Sequence, residues 1–442
     1  MRPGRETINK FIRLHSTIKI KEKGEFGEVF TPVSVIDDML AALPASVWRS
    51  PKLRWLDPAC GVGQFPLKII SGGNGYIGLF EGLAKAIPNK LERMRHILGQ
   101  LYCYDINPKN TAVLRSEFSK LSPGAPNNVT TGDFLTSGDI GKFDIIVGNP
   151  PYNSNGTKRI GEKRLHVRFV SRALEILSPN GYLLFVCPPN YRQAGSTMNK
   201  LFLDRDGSFK YIHIYGPDET HKLFKIQARV DSFLWANGPD DGNKTHIIDE
   251  YGNESIVLLD LNQHIPNFGH TIFEKLRKGA RANIKAFRTA EATTITCTGF
   301  SSGGKYPILH LIVKDGLKIL QRKKPHSLQS VPKAILNGLG VPYIYDDRKG
   351  EFGVSQTPVV IIEPSQQLIN FLKSKLFVFI AWGLRLTGNN NLPYLFDCVP
   401  QDYGASIQWT NKELELIESF EVPTFDKRPI KITCNKTRRV KK

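Results

Sequence analysis

The first 250 residues alternate short apolar runs with stretches of helical character. Helix-like segments at 81–98 and 165–177 separate several of these runs. The runs are Leu53–Leu56, Leu101–Tyr104, Asp144–Val147, Gly181–Val186 and Tyr211–Ile214. Apolar strands joined by helices build βαβ units, in which helices cover both faces of a parallel sheet. The pattern therefore predicts an α/β fold with a doubly wound, mostly parallel sheet that binds its ligand at the carboxyl ends of the strands.

The second half of the chain follows a looser pattern. Tyr306–Val313 and Val359–Ile362 are typical of strands, and 365–381 is typical of a helix. We therefore expect two domains, an α/β domain at 1–245 and a mixed α+β domain at 246–442. The segment 427–442 is strongly cationic and is expected to form a basic tail.

The charge balance favours a polyanionic partner. The chain has 60 Lys and Arg against 41 Asp and Glu, which gives a formal net charge of +19. Lys and Arg that neutralise phosphates release condensed counterions, so a basic excess of this size is typical of nucleic-acid binding. A basic protein without such a partner is the alternative that charge alone leaves open.

The spacing of the cysteines and the hydropathy of the chain indicate the cellular compartment. The six cysteines are dispersed and form no CxxC pair, which argues against a zinc site and against a disulfide framework. No apolar stretch reaches about 18 residues, so no transmembrane helix is predicted. The basic N-terminus lacks the apolar segment of a secretory signal. We expect a soluble, intracellular protein of the cytoplasm or nucleoid, without a metal site or membrane contact.

A glycine-containing turn follows the first predicted strand. The segment Leu56–Phe65 has the sequence LDPACGVGQF, so Asp57 closes the strand and Gly61 and Gly63 allow a tight turn into a helix. A dinucleotide fingerprint would require a third glycine where Pro66 stands. The turn therefore favours a ligand without a pyrophosphate, although an ordinary strand-to-helix turn has similar residues.

Two further acidic residues follow predicted strands. Asp105 ends the second apolar run, where a carboxylate can accept hydrogen bonds from both hydroxyls of a ribose. Asp133 precedes Phe134, a pairing that can bind the amino group and one face of an adenine ring. Taken alone, Asp105 could be a solvated loop residue and Asp133 a turn or helix cap.

The most specific signal is the tetrapeptide Asn149-Pro150-Pro151-Tyr152. It directly follows a buried apolar strand, so the Asn149 side chain is expected at the carboxyl end of the sheet. The two prolines fix the backbone and leave the Pro150 carbonyl as a rigid acceptor. The Asn149 side-chain oxygen and this carbonyl form two convergent acceptors for the hydrogens of an amino group. Tyr152 is expected to offer a flat face at the loop tip.

These motifs, in this order, resemble those of the adenine-N6 DNA methyltransferases of restriction–modification systems, in the gamma arrangement. Gly27–Pro32 resembles the motif that closes over the methionine end of the cofactor, Leu56–Phe65 resembles the main cofactor motif, and Asn149–Tyr152 matches the NPPY catalytic motif. The resemblance extends over about residues 24–236. It implies the class I methyltransferase (Rossmann-like) fold, and it implies that residues 246–442 form the DNA target-recognition domain.

The resemblance also implies S-adenosyl-L-methionine as cofactor and double-stranded DNA as substrate. Val29, Thr31, Asp57 and Ala59 would contact the methionine part of the cofactor. Asp105 would bind the ribose hydroxyls. The implied cofactor-binding residues are Val29, Thr31, Asp57, Ala59, Gly61, Asp105, Ile106, Asp133 and Phe134.

The resemblance further implies a catalytic set for a flipped-out adenine. Asn149 and Pro150 would bind the target amine, and Tyr152 would stack on the target base. Phe224 is the candidate for a second aromatic wall beside that base.

Other functions remain open at this stage. An RNA methyltransferase acting on adenine or guanine, and a protein-glutamine methyltransferase that uses the same tetrapeptide, are the alternatives within the class. A DNA-binding module that has lost catalysis is a third, although every motif residue is present. A combined restriction enzyme and methyltransferase is a further alternative. No nuclease cluster of acidic residues and lysine is evident, so we expect either a stand-alone modifying enzyme or one with a separate cognate restriction endonuclease.

Overall fold

The computed structural model describes residues 31–152, 164–226, 228–239, 242, 244–289, 291, 304–314, 316–338, 340–386 and 393–422. They fall into two compact units, one that ends at Ile265 and one that begins at Pro266. Each unit has hydrophobic core clusters of its own.

The first unit is built on one nine-stranded sheet with the order β3-β2-β1-β4-β5-β7-β6-β8-β9. The strands are β1 (Trp55–Asp57), β2 (Leu101–Asp105), β3 (Asn128–Thr131), β4 (Phe143–Gly148), β5 (Leu177–Cys187), β6 (Gly207–Tyr215), β7 (Val230–Asn237), β8 (Thr245–Ile248) and β9 (Glu254–Val257). The five strands from β3 to β5 are parallel, whereas β7 runs antiparallel to both β5 and β6. The predicted doubly wound, mostly parallel α/β sheet is confirmed.

Helices cover both faces of this sheet. They are α1 (Val33–Ala41), α2 (Gln64–Ser71), α3 (Gly78–Gly82), α4 (Lys90–Gln100), α5 (Pro108–Leu121), α6 (Leu165–Ile176), α7 (Thr197–Leu203) and α8 (Pro217–Phe224). One core cluster joins α1, α2, α4 and α5 to the sheet, and a second joins α6 and α7. The central strands are buried on both faces, as a sheet between two helical layers requires, and this explains their continuous apolar sequences.

The single helix expected at 81–98 is divided in the structure. Pro88 lies between α3 and α4, and the Asn89 side chain caps α4 by accepting from the backbone N–H groups of Leu91 and Glu92. A proline disfavours helical backbone in the residue before it, so α4 begins afresh at Lys90. The two helices α3 and α4 make a long connection between the glycine turn and β2.

The boundary between the units lies about 20 residues beyond the predicted one at 245/246. Strands β8 and β9 belong to the first sheet, because β8 pairs parallel with β6 and β9 pairs antiparallel with β8. Short strands after the last strong apolar run gave no sequence signal of membership in that sheet. The first unit therefore includes residues up to Ile265.

The second unit is a mixed α+β structure with two small sheets. Its strands are β10 (Ala286–Phe287), β11 (Tyr306–Val313), β12 (Gly316–Arg322), β13 (Lys333–Leu336), β14 (Ile344–Asp347), β15 (Gly353–Val354) and β16 (Val359–Ile362). Its helices are α9 (His270–Leu276), α10 (Gln366–Leu372), α11 (Lys375–Gly383) and α12 (Asn411–Ser419). The sheets have the orders β10-β16-β13-β14 and β12-β11-β15.

The two strands predicted in this half match β11 and β16. The helix predicted at 365–381 is divided into α10 and α11, because the Ser374 hydroxyl caps a new helix by accepting from the Phe377 N–H at 3.2 Å. Within the described ranges, no helix is long and apolar enough to cross a membrane.

Candidate functional site

Three polar side chains lie where the central strands of the first sheet end. Asp57 ends β1, Asp105 ends β2, and Asn149 directly follows β4. Because β1 pairs in parallel with both β2 and β4, these ends lie at the same edge of the sheet. The structure thus brings together the residues that the sequence analysis placed at the carboxyl ends of separate strands.

Asp57 is a buried carboxylate with one unsatisfied oxygen. Its side chain is 2% exposed, and Oδ1 accepts from the backbone N–H of Ala59 at 3.1 Å. No described residue donates a hydrogen bond to Oδ2, which is also buried. Burial raises the pKa of Asp57 well above its ordinary value, and the nearby Asp105 raises it further. An amine or N–H of a ligand would supply the missing donor.

Gly148 allows the end of β4 to approach Asp57. A side chain there would place its Cβ 2.9 Å from Asp57 Oδ1, which is closer than real Cβ contacts come. The glycine therefore allows the Asp57 carboxylate to lie beside the start of the tetrapeptide Asn149–Tyr152.

The glycine turn is fastened to the end of β2. Asp105 Oδ2 accepts from the backbone N–H of Gly61 at 2.8 Å, and Oδ1 accepts from Asn107 N–H and Asn110 Nδ2. Gly61 has φ +54, and a Cβ added there would meet open space. At Gly63 a Cβ would lie 2.2 Å from the Leu114 side chain, so only glycine fits. The long connection before β2 has not displaced Asp105 from the site.

Ile106 and Asp133 lie on the surface of this region. Ile106 is 60% exposed, an unusual state for an isoleucine and a suitable one for covering a flat apolar ligand. Asp133 is exposed and caps a short turn, because its Oδ1 accepts from the Leu135 N–H at 2.9 Å. Asp133 therefore has the capping role that was the alternative to ligand binding. Its predicted contact with the cofactor stays a prediction.

Phe134 has a core position. Its ring is 1% exposed and lies 6.0 Å from the Tyr104 ring and 5.5 Å from the Phe169 ring of α6. Packing of this kind leaves little of its face for a ligand. Its predicted contact with the cofactor stays a prediction.

Asn149 is oriented by Thr31, which lies 118 residues earlier in the chain. Asn149 Nδ2 donates to the Thr31 hydroxyl at 3.0 Å, and Thr31 is 3% exposed. With the amide nitrogen bound in this way, the amide oxygen is the end turned away from Thr31. Pro150 is buried beside it. The family resemblance assigns Thr31 only to the cofactor. Val29, from the same motif, lies outside the described residues.

Tyr152 is not presented at an exposed loop tip as expected. Its side chain is 9% exposed and belongs to the core cluster on the α1 face of the sheet. Burial raises the pKa of its hydroxyl well above the ordinary value. The local sequence predicted a loop, but packing against the sheet turned the ring inward.

His166 of α6 holds the backbone of Tyr152. Its Nδ1 lies 3.0 Å from the Tyr152 carbonyl, a contact that requires the proton on Nδ1, and Nε2 lies 3.1 Å from Asn190 Oδ1. Burial lowers the pKa of His166 below its ordinary value. Sequence reasoning missed this residue, because a single histidine at the start of a helix gives no signal of what it will contact.

Phe224 lies in the same core cluster as Tyr152. It ends α8, is 2% exposed and packs edge-on against Tyr215 with ring centroids 5.7 Å apart. The structure therefore brings the two predicted base-stacking residues into one cluster but buries both. Their contact with a base stays a prediction.

The N-terminal helix is joined to the helix of the glycine turn. Asp37 of α1 forms an ion pair with Lys68 of α2 at 2.7 Å, and Lys68 is 2% exposed. The Tyr76 hydroxyl also donates to Asp37 at 3.0 Å. Because α1 begins two residues after Thr31, this ion pair fixes the segment after Thr31 to the helix of the glycine turn.

Known proteins with sequences similar to this chain are named as methylases or methyltransferases. Residues 86–220 match the family model of the Eco57I restriction-modification methylase. An uncharacterized adenine-specific methylase of Mycoplasma pneumoniae is 24% identical, and the match covers 48% of this chain and 67% of that protein. The modification methylase CviBIII of Paramecium bursaria Chlorella virus NC1A is also 24% identical, over 55% of this chain and 60% of its own length.

Among solved structures, the ATP-dependent Type ISP restriction-modification enzyme LlaBIII bound to DNA is similar, with a TM-score of 0.52 and 12% identity. The similarity covers 89% of this chain and 41% of that one, and at this identity it supports the fold alone. The match thus spans about two thirds of the length of these two relatives and less than half of that structure. In its fold, its strand-end motifs and these relatives, the chain resembles the adenine-specific methylases of restriction–modification systems.

Proposed function

We propose that this chain transfers a methyl group from S-adenosylmethionine to N6 of an adenine that has been flipped out of double-stranded DNA. The observation that carries the proposal is the Asn149 amide, oriented by Thr31 at the end of β4, beside the buried Asp57 and the glycine turn. The family resemblance and the fold imply use of this cofactor.

The residues present fit the cofactor. The buried Asp57 Oδ2 lacks a donor among the described residues, which suits the amino group of a methionine moiety. Asp105 lies beside the turn at Gly61, where it can accept from ribose hydroxyls. The exposed Ile106 can cover an adenine ring. When bound, S-adenosylmethionine supplies an electrophilic methyl group.

Asn149 and Pro150 would act on the target amine. The lone pair of an exocyclic amine on adenine is delocalised into the ring, so the amine is a poor nucleophile. Hydrogen bonds from its two hydrogens to the Asn149 oxygen and the Pro150 carbonyl would concentrate electron density on nitrogen. Holding the amine in line with the methyl group would supply a further part of the rate.

The target base must leave the duplex to reach Asn149, because its N6 lies within the base pair. Tyr152 would stack on the flipped base, with Phe224 as the candidate second wall. Since both rings are buried in the structure, this arrangement requires Tyr152 to turn out of the core when DNA binds.

The second unit is proposed to recognise the DNA target. Residues 266–442 have 27 Lys and Arg against 14 Asp and Glu. A partner that neutralises phosphates explains this excess. A separate restriction endonuclease of matching specificity is the proposed functional partner.

A transfer assay tests the proposal directly. The protein is incubated with S-adenosylmethionine labelled in the methyl group and with duplex DNA, duplex RNA or a cell protein extract. Label in DNA, recovered as N6-methyladenine after digestion to nucleosides, supports the proposal. Label only in RNA or in protein would replace it with one of the alternative methyltransferase functions.

A further inference from the structure

His166 contacts the two segments that leave the neighbouring strands β4 and β5. Nδ1 of its ring lies 3.0 Å from the carbonyl oxygen of Tyr152, and Nε2 lies 3.1 Å from the side-chain amide of Asn190. Tyr152 ends the tetrapeptide that follows β4, and Asn190 belongs to the short turn Pro189–Arg192 that follows β5. Since β4 and β5 pair in parallel, both segments lie at the edge of the sheet where Asn149 lies. His166 therefore connects the tetrapeptide to the end of the neighbouring strand.

The backbone of the tetrapeptide has few hydrogen-bond donors of its own. Two of its four residues, Pro150 and Pro151, have no backbone N–H and cannot donate. The carbonyl of Tyr152 lies in a buried contact with His166, and a buried carbonyl is costly to leave without a donor. A donor from another element therefore contributes more to fixing this segment than it would beside an ordinary loop.

The donor itself is firmly held. His166 is 4% exposed and lies in the first turn of α6. Phe169 and Val170 of the same helix are buried in the core cluster beneath it. On the opposite side, the backbone carbonyl of Asn190 accepts from the Ser196 hydroxyl at 2.6 Å. The imidazole is thus supported by α6 on one side and by the turn after β5 on the other.

One protonation form of the ring satisfies both contacts. A neutral imidazole with its proton on Nδ1 donates to the Tyr152 carbonyl, and its Nε2 is then an acceptor. The Asn190 amide must turn its nitrogen toward Nε2 in this form. Burial lowers the pKa of His166, which favours the neutral ring at neutral pH.

The ring and the carbonyl of Tyr152 have different partners. The ring belongs to the core cluster on the α1 face of the sheet, whereas the carbonyl faces His166 of α6. The rings of Tyr152 and His166 meet edge-on, with centroids 6.4 Å apart and an interplanar angle of 86°. Rotation about the Cα–Cβ bond of Tyr152 would move its ring and leave the carbonyl contact in place. The backbone can therefore stay fixed while the ring changes position.

We propose that His166 is a positioning residue for methyl transfer. It fixes the backbone at Tyr152, so that the Pro150 carbonyl keeps its place beside Asn149. The Tyr152 ring remains free to turn toward the target base. This inference rests on the proposed function, since it adds a residue to the same reaction, and His166 acts in it through the tetrapeptide. Loss of the contact would let the acceptors move relative to the target amine, which lowers the rate of a reaction that depends on alignment.

Two substitutions separate the two contacts of the ring. The side-chain amide of asparagine reaches the position of Nδ1, and that of glutamine reaches the position of Nε2. His166→Asn therefore keeps a donor for the Tyr152 carbonyl, whereas His166→Gln keeps only the contact with Asn190. Val170→Ala is the matched control, because it removes buried packing from the same helix.

Each full-chain variant is assayed with S-adenosylmethionine and with plasmid DNA free of adenine methylation. For His166→Gln we expect kcat to fall about tenfold, as loss of a buried hydrogen bond implies. Its KM for DNA and its Kd for S-adenosylmethionine should stay within about twofold of the wild type. For His166→Asn we expect kcat within about threefold of the wild type, because the donor is retained. Val170→Ala should lower the melting temperature and keep the wild-type kcat.

Equal kcat values for His166→Asn and His166→Gln would overturn the proposal. A kcat of Val170→Ala as low as that of His166→Gln would also overturn it, because activity would then follow stability. A higher KM for DNA at unchanged kcat in His166→Gln would show that the contact serves binding alone and would likewise overturn it. These failures are distinct from failure of the proposed function, in which the wild type itself places no methyl group on adenine in DNA.

Discussion

The side-chain amide of Asn149 donates a hydrogen bond to the Thr31 hydroxyl at 3.0 Å, across 118 residues of sequence. Thr31 is 3% exposed, so this contact is shielded from water. The amide that we propose binds the target amine is thus oriented by the N-terminal segment of the chain.

Thr31→Val keeps the shape of the side chain but removes the acceptor, and Thr31→Ser keeps the acceptor. Loss of a buried hydrogen bond costs about 1–2 kcal/mol, so kcat of Thr31→Val should fall about tenfold. Thr31→Ser should retain most of the wild-type rate. In both variants the Kd for S-adenosylmethionine, measured by calorimetry, should stay within about twofold if positioning dominates. Equal kcat values for Thr31→Val and Thr31→Ser would show that the Thr31 hydroxyl does not position Asn149.

Asn149→Ala should abolish methyl transfer while DNA binding is retained. The variant loses one of two acceptors that act on the amine, and removing one preorganised polar group of this kind costs roughly 10²–10³ in kcat. Transfer of labelled methyl groups and duplex binding are measured on the same preparation. Near-normal turnover would exclude Asn149 from the reaction.

Tyr152→Ala should lower turnover less severely than Asn149→Ala. Stacking on a base contributes about 1–3 kcal/mol, and the ring is also part of the core, so the melting temperature should fall as well. Tyr152→Phe keeps the ring and serves as the matched control, with near-normal turnover. If Phe and Ala variants lose activity to the same extent, the hydroxyl rather than the stacking face is the functional group.

Asp57→Asn should make the free protein more stable at neutral pH and weaken its binding of S-adenosylmethionine. Burial raises the folded-state pKa of Asp57, so its stabilising contribution is complete below the unfolded pKa and is lost as pH rises through the folded pKa. The difference in melting temperature between variant and wild type should therefore shrink as pH is lowered from 8 toward about 4. Differential scanning fluorimetry without ligand measures both melting temperatures as a function of pH. A difference that does not change with pH would show that folding does not raise the pKa of Asp57.

The strand ends could be predicted because the apolar run of a strand and the polar residue that follows it are adjacent in sequence. A run of apolar residues between polar breaks predicts β4, and the side chain that follows it must lie at the edge of the sheet, as Asn149 does. The same logic placed Asp57 and Asp105 correctly. The two strands predicted in the second half, β11 and β16, follow from the same pattern.

The positions that differed from prediction depend on residues distant in sequence. The inward position of Tyr152 is set by the core on the α1 face and by His166, neither of which can be inferred from the tetrapeptide. Strands β8 and β9 join the first sheet because an edge was available beside β6, and no pattern in their own residues shows this. The Thr31–Asn149 contact likewise joins two motifs whose spacing in sequence is arbitrary.

The ion pair between Asp37 and Lys68 has a further consequence for how the chain can be rearranged. Helix α1 is attached to α2 by this pair, by Tyr76 and by its apolar side, which includes Val35, Ile36, Met39 and Leu40. The segment between Ala41 and Trp55 adds to this docking, because Leu43, Val47 and Trp48 are buried in the same core cluster. We therefore expect a chain cut after the exposed Arg49 to stay associated, and co-purification of the two fragments would test this.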